Sequence, residues 1–202
     1  MKKATIILFA LFCFLPAFAS AEVIQMANNA YTLPSGWTRI ATESVTSLDH
    51  YNYYKWTIGD IGYIPSAVNI VFHSVKNWQP ETNQIAVYLK DSAGPADWTS
   101  YSDNQSTGSP DWLALGWSYL GKWSDPTGNG TYYDVVFTIP LAGNRAIMAD
   151  SDYFKVGIDP DCHYDLAKIT IDVQHCSVPE PATMLLFGLG LAGLAGVRKF
   201  KD

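Results

Sequence analysis

The side chains able to ligate metals or act as nucleophiles gather toward one end of the chain. Cys162-His163 and His175-Cys176 set two thiols and two imidazoles as mirrored pairs. Such a set has the composition of a tetrahedral zinc site. The other cysteine, Cys13, lies in an N-terminal apolar run, which leaves Cys162 and Cys176 as an even pair. Outside the cytosol an even pair favours a disulfide over thiolate ligands, so a Cys162–Cys176 bridge is expected and a zinc site is not. Asp159, Asp161 and Asp165 cluster with Pro160 in a turn. Their oxygens could support a structural calcium, but the spacing fits no complete calcium loop, and turn aspartates commonly bond their own backbone. No other cofactor is expected. Trp98, Trp112, Trp117 and Trp123, with Tyr101 and Tyr119, crowd a short stretch. Exposed rings of this kind stack on sugar faces, whereas buried ones pack a core. Burial is expected for most of them, with one or two left at the surface. Between residues 22 and 178 stand 17 carboxylates, yet no spacing selects an acid–base pair, and separation rather than number defines glycosidase acids. No Gly-x-Ser-x-Gly, His-Glu-x-x-His, P-loop or Gly-x-Gly-x-x-Gly pattern occurs. The expectation is a non-catalytic protein.

The elements that would position these groups are strands. Punctuation by Gly, Pro, Asn and Asp is frequent, and the apolar runs are short and rich in β-branched and aromatic residues. Runs at 51–58, 67–75, 84–89, 116–123, 131–139, 153–158 and 168–173 read as strands. With 37–41 and the start of the domain, they make about eight or nine strands. In two runs the alternation is clean. Phe154, Val156 and Ile158 oppose Tyr153 and Lys155, while Ile169, Ile171 and Val173 oppose Lys168, Thr170 and Asp172. Period two places the first set of each in a core and the second in water. The fold expected is all-β, a β-sandwich or jelly-roll-like domain over 22–177. Residues 91–112 read as a long polar loop, and 125–130, Asp-Pro-Thr-Gly-Asn-Gly, as a hairpin turn.

Both flanks of this domain carry a different signature. Residues 1–21 have the three parts of a secretory signal peptide: Lys2 and Lys3, an apolar run at 6–15, and small residues at Ala19 and Ala21 after the helix-breaking Pro16. Processing by signal peptidase on the Sec route is expected after Ala21. Residues 178–202 run from Val178-Pro179-Glu180-Pro181 through an unbroken apolar stretch at 184–197 to Arg198, Lys199 and Lys201. The prolines enforce an extended, accessible peptide. The apolar stretch makes a helix of about 21 Å, short against a hydrocarbon core of about 30 Å. Basic residues beyond it form a stop that stays in the cytoplasm, which puts the domain on the far side of the inner membrane.

Pro179-Glu180-Pro181, the glycine-bearing apolar stretch and the Arg-Lys end together resemble the PEP-CTERM sorting domain of bacterial exported proteins. The resemblance implies recognition by an exosortase, a membrane-embedded cysteine protease-like sorting enzyme. It also implies delivery to the cell surface in Gram-negative bacteria that make extracellular polysaccharide. Segments 48–56, 77–78 and 157–164 are similar to stretches recurring in a group of PEP-CTERM proteins of unestablished function. The domain itself is acidic: its 17 acidic and 8 basic residues leave it at −9, which repels a phosphate backbone and argues against nucleic acid as a partner. The expected function is a surface or matrix protein, adhesive or polysaccharide-associated, as in a biofilm. A secreted polysaccharide hydrolase and a permanently membrane-tethered periplasmic protein are the alternatives.

Overall fold

The computed structural model describes residues 21–103, 112–125, 130–139, 142–149 and 152–175. Among them run twelve strands: β1 (Glu22–Ala27), β2 (Trp37–Glu43), β3 (Ser47–Leu48), β4 (Asn52–Gly59), β5 (Ala67–Asn77), β6 (Gln84–Ser92), β7 (Trp98–Ser102), β8 (Ser118–Ser124), β9 (Tyr133–Thr138), β10 (Tyr153–Pro160), β11 (Tyr164–Asp165) and β12 (Lys168–Gln174). One short helix, α1 (Ala142–Ile147), interrupts them. They form two antiparallel sheets. The first has the order β2-β12-β5-β9-β1, with β11 and β3 at the far end of β5; the second has the order β7-β4-β10-β6-β8.

Register shows that the first sheet is simpler than its strand count. β12 pairs β5 from Lys168↔His73 to Gln174↔Ala67, and β11 continues the same register with Tyr164↔Asn77. On the other side, Ile169↔Glu43 and Tyr164↔Leu48 also share one register. Residues 164–174 are therefore one interrupted strand laid along the whole of β5. Ser74, with φ of 58°, marks the bulge between Phe72 and Val75 where β5 meets β9, and its amide donates to Asp134 Oδ1 at 3.0 Å.

The two sheets enclose one core. Phe154, Val156 and Ile158 of β10 and Ile169, Ile171 and Val173 of β12 all point into it, together with Ile70, Phe72, Leu89 and Phe137, as their alternation predicts. The opposite face of β12 departs from expectation. Thr170 and Asp172 are fully buried, because the segment joining β1 to β2 folds over them. Tyr31 donates its hydroxyl to Asp172 Oδ2 at 2.8 Å and its amide to Asp134 Oδ2 at 2.9 Å. Arg39 grips Asp172 through two bonds of 2.8 and 3.1 Å. His73 Nε2 lies 2.9 Å from Thr170 Oγ1. A strand in the middle of a sheet gains a second covered face whenever a loop brings partners for its polar side chains.

One further expectation is corrected. The polar stretch 91–112 contains the edge strand β7, which pairs β4 from Asn52↔Ser102 to Trp56↔Trp98; residues 104–111 lie outside the described ones. The hairpin turn expected at 125–130 falls largely on residues 126–129, which also lie outside them; β8, before it, belongs to the second sheet and β9, after it, to the first. Ala21, expected to be the last residue of the signal, is buried; its amide donates to the Leu120 carbonyl, and Gly121 packs against it. No helix among the described residues is long and apolar enough to cross a membrane. The apolar stretch 184–197 lies outside them.

Candidate functional site

Sheet register separates the Cys/His pairs that the sequence sets side by side. His163 precedes β11, opposite the Asn77 end of β5, whereas His175 follows β12, opposite the Ala67 end. Ten residues of extended chain separate those ends, about 30 Å at 3.3 Å per residue. Cys176, and with it the expected Cys162–Cys176 bridge, lies outside the described residues. Cys162 is a free, buried thiol with Sγ 3.4 Å from Asn77 Oδ1, and burial pushes its pKa up. His175 stacks on Tyr63, with its Nε2 3.0 Å from the hydroxyl.

The turn aspartates also part company. Asp165 lies in β11, while Asp159 and Asp161 face a groove on the outside of the second sheet. Asp159 is almost wholly buried and accepts a bond from Trp112 Nε1 at 3.1 Å; burial pushes its pKa up to about 6. Asp161 accepts from the Gln84 amide and from the Tyr164 hydroxyl.

This outer face is where the aromatic residues converge. Alternation on β4, β6 and β10 turns Tyr53, Lys55, Tyr88, Lys90, Lys155, Gly157 and Asp159 outward while their neighbours fill the core. Trp112 lies over Gly157, stacked on Tyr88 with ring centres 4.8 Å apart and edge-on to Trp117 at 4.8 Å. Trp112, Trp117 and Trp123 are buried, and Trp98 packs beside Tyr54 and Trp56. Tyr101 and Tyr119 keep 40% and 39% of their surface exposed, the outcome expected for most and for few of these rings.

The Trp112–Trp117 pair divides the face into two shallow grooves. One, of about 200 Å³, is lined by Tyr88, Tyr119, Gln84, Lys122, Asp159 and Asp161. The other, of about 450 Å³, gathers Lys55, Lys90 and Lys155 beside Trp117. Lys55 Nζ sits 4.5 Å above the Tyr101 ring, which itself stacks on Tyr53. Burial and the two neighbouring lysines pull the Lys55 pKa down. Four of the domain's eight basic residues thus stand on one face of an acidic molecule. Chemically the arrangement offers an exposed ring for C–H faces, carboxyls and an amide for hydroxyls, and ammonium groups for acidic substituents. Reading the sequence missed Tyr53, Lys55, Gln84, Tyr88, Lys90, Lys122 and Lys155. Their out-facing parity was readable, but the adjacency of β4, β10 and β6 was not.

Among the residues singled out from the sequence, Ala19, Pro179, Glu180, Pro181, Arg198, Lys199 and Lys201 lie outside the described residues, as does Cys176. No curated protein matches this chain. Two solved structures share a remote likeness, too distant to carry an argument. They are recombinantly expressed latent aurone synthase (polyphenol oxidase), at 10% identity and TM-score 0.40 over 64% of this chain and 25% of that one, and latent aurone synthase from natural source, at 11% and 0.39 over 67% and 28%. The chain spans about a quarter of the length of both. Residues 177–199 match the PEP-CTERM protein-sorting motif. The chain thus carries a PEP-CTERM protein-sorting motif, placed C-terminal to an all-β sandwich.

Proposed function

We propose that this is an exported protein, sorted by an exosortase, whose sandwich associates with extracellular polysaccharide through the outer face of the second sheet. The sorting motif supports the route. The observation that carries the ligand class is the exposed Tyr119 ring set beside Gln84, Lys122, Asp159 and Asp161 in one groove. Sugars need both kinds of contact, because an aromatic ring covers the apolar C–H face while polar groups recover the bonds that hydroxyls lose with water. The adjacent Lys55, Lys90 and Lys155 favour uronate-bearing or otherwise acidic chains. The association is binding without turnover, at the cell surface or in its matrix. Titrating the full chain in detergent with neutral and uronate polysaccharides tests this. Binding should weaken about tenfold in Tyr119→Ala, the loss of one stacking ring of roughly 1.4 kcal/mol, and salt should weaken uronate binding most. Lack of affinity for every glycan would end the proposal.

One observation favours a hydrolytic alternative. Asp159 is a carboxyl with a raised pKa beside a second carboxyl in a groove, the environment of a general acid. Turnover on the same glycans, abolished in Asp159→Asn, would move the assignment from binding to catalysis. The tethered alternative predicts that the mature protein keeps residues 198–202.

A further inference from the structure

We infer that Asp49, His50 and His163 form a binding site for a divalent first-row transition metal, with zinc as the reference ion. The three residues come from two loops. Asp49 and His50 follow β3, and His163 precedes β11. The Tyr164↔Leu48 pairing, carried one step further, sets His163 directly across from Asp49. Backbone bonds hold both loops in place. The Trp78 amide donates to the His163 carbonyl at 3.2 Å, the Asn52 amide donates to the Asp49 carbonyl at 3.0 Å, and the Asp49 amide donates to the Tyr54 hydroxyl at 2.9 Å.

The side chains then converge. His50 Nδ1 is 3.2 Å from His163 Nδ1 and 3.5 Å from Asp49 Oδ1, and His163 Nε2 is 3.2 Å from Asp49 Oδ1. Asp49 Oδ1 also accepts from the Tyr51 amide at 3.0 Å. The two contacts of His163 use different ring nitrogens, of which one alone can ligate a given ion. With one atom from each residue the set lies within 4.8 Å, against about 3.3 Å between ligands held at 2.0–2.1 Å from a tetrahedral zinc, so rotation of these half-buried side chains must draw them together. Two imidazoles and one carboxylate suit zinc, nickel, copper or iron, whereas calcium and magnesium prefer oxygen alone. All three residues are only half-buried, which leaves the remaining coordination position to water or to a ligand group. The packed Tyr51 ring, centred 3.9 Å from that of His50, limits the rotation of one ligand. The site uses His163 but neither Cys162, which turns inward to Asn77, nor His175.

The test uses the untagged full chain in detergent, stripped of metal with a chelator. Zinc calorimetry should show one equivalent bound, and cobalt(II) substitution should give the visible bands of a low-coordinate N,O site. His50→Ala and His163→Gln should each lower zinc affinity by at least about a hundredfold, while His175→Ala leaves it unchanged. Circular dichroism confirms that each variant is folded, and Asp49→Asn replaces any that is not. Absence of zinc uptake at millimolar concentration, or uptake that survives both histidine changes, would overturn the assignment. Equal loss in His175→Ala would do the same.

Discussion

At Gly157 the absence of a side chain shapes the outer face. A Cβ there would stand 2.7 Å from Trp112 Cζ3 and 3.0 Å from Trp117 Cζ3, closer than carbon atoms approach. Gly157→Ala should therefore lift both indoles, cost about 1–3 kcal/mol by overpacking, and red-shift tryptophan emission as the rings meet water. Urea unfolding and fluorescence together check this. Asp159, under Trp112, makes a second residue-scale prediction. Its folded pKa, raised to about 6 by burial, exceeds the ordinary carboxyl value of about 3.9, so the folded state holds its proton more tightly. The stability it contributes is complete below about pH 4 and is lost as pH rises through about 6. Asp161 and Asp103 reinforce the shift through their charge. Wild type minus Asp159→Asn should therefore show stability falling between pH 4 and 6, measured by denaturant melts across that range. The aspartate turn was legible as a candidate site in sequence. The indole donor above Asp159 was not, because Trp112 is 47 residues away in sequence.

At the scale of elements, β12 decides what the cysteines do. Lying along β5 from Lys168 to Gln174, it holds the positions flanking Cys162 and Cys176 at opposite ends of the sheet. Both thiols should therefore react with an alkylating agent after unfolding without reductant, and Cys162 should resist it in the folded protein; mass spectrometry of the peptides reads both. Recovery of an intact Cys162–Cys176 crosslink would refute this prediction. The period-two patterns on β10 and β12 located both strands and their core faces. They failed on the far side of β12, where Thr170 and Asp172 read as solvent-facing. Nothing local distinguishes a polar residue facing water from one covered by Tyr31 and Arg39 of a distant segment. Strands β3, β7 and β11 were missed for a related reason. Two residues, or five polar ones, carry little pattern of their own, and pairing partners define them.

Across the whole molecule, the first described residue bears on maturation. Ala21 packs against Gly121 and bonds Leu120, so it behaves as part of the sandwich. Cleavage after Ala19 keeps that residue, whereas cleavage after Ala21 discards it. The mature protein should therefore begin at Ser20, as N-terminal sequencing would show. Two things followed from the linear order of residues. One was the sorting signal, whose prolines, apolar stretch and basic end act as a contiguous peptide. The other was the all-β class, because alternation is a nearest-neighbour property of a strand. Tertiary structure alone decided which groups meet: the aromatic and lysine grooves of the second sheet, the Asp49-His50-His163 convergence, and the separation of His163 from His175. Those depend on strand order and register, which are set by packing two sheets around one core and by contacts between residues far apart in the chain.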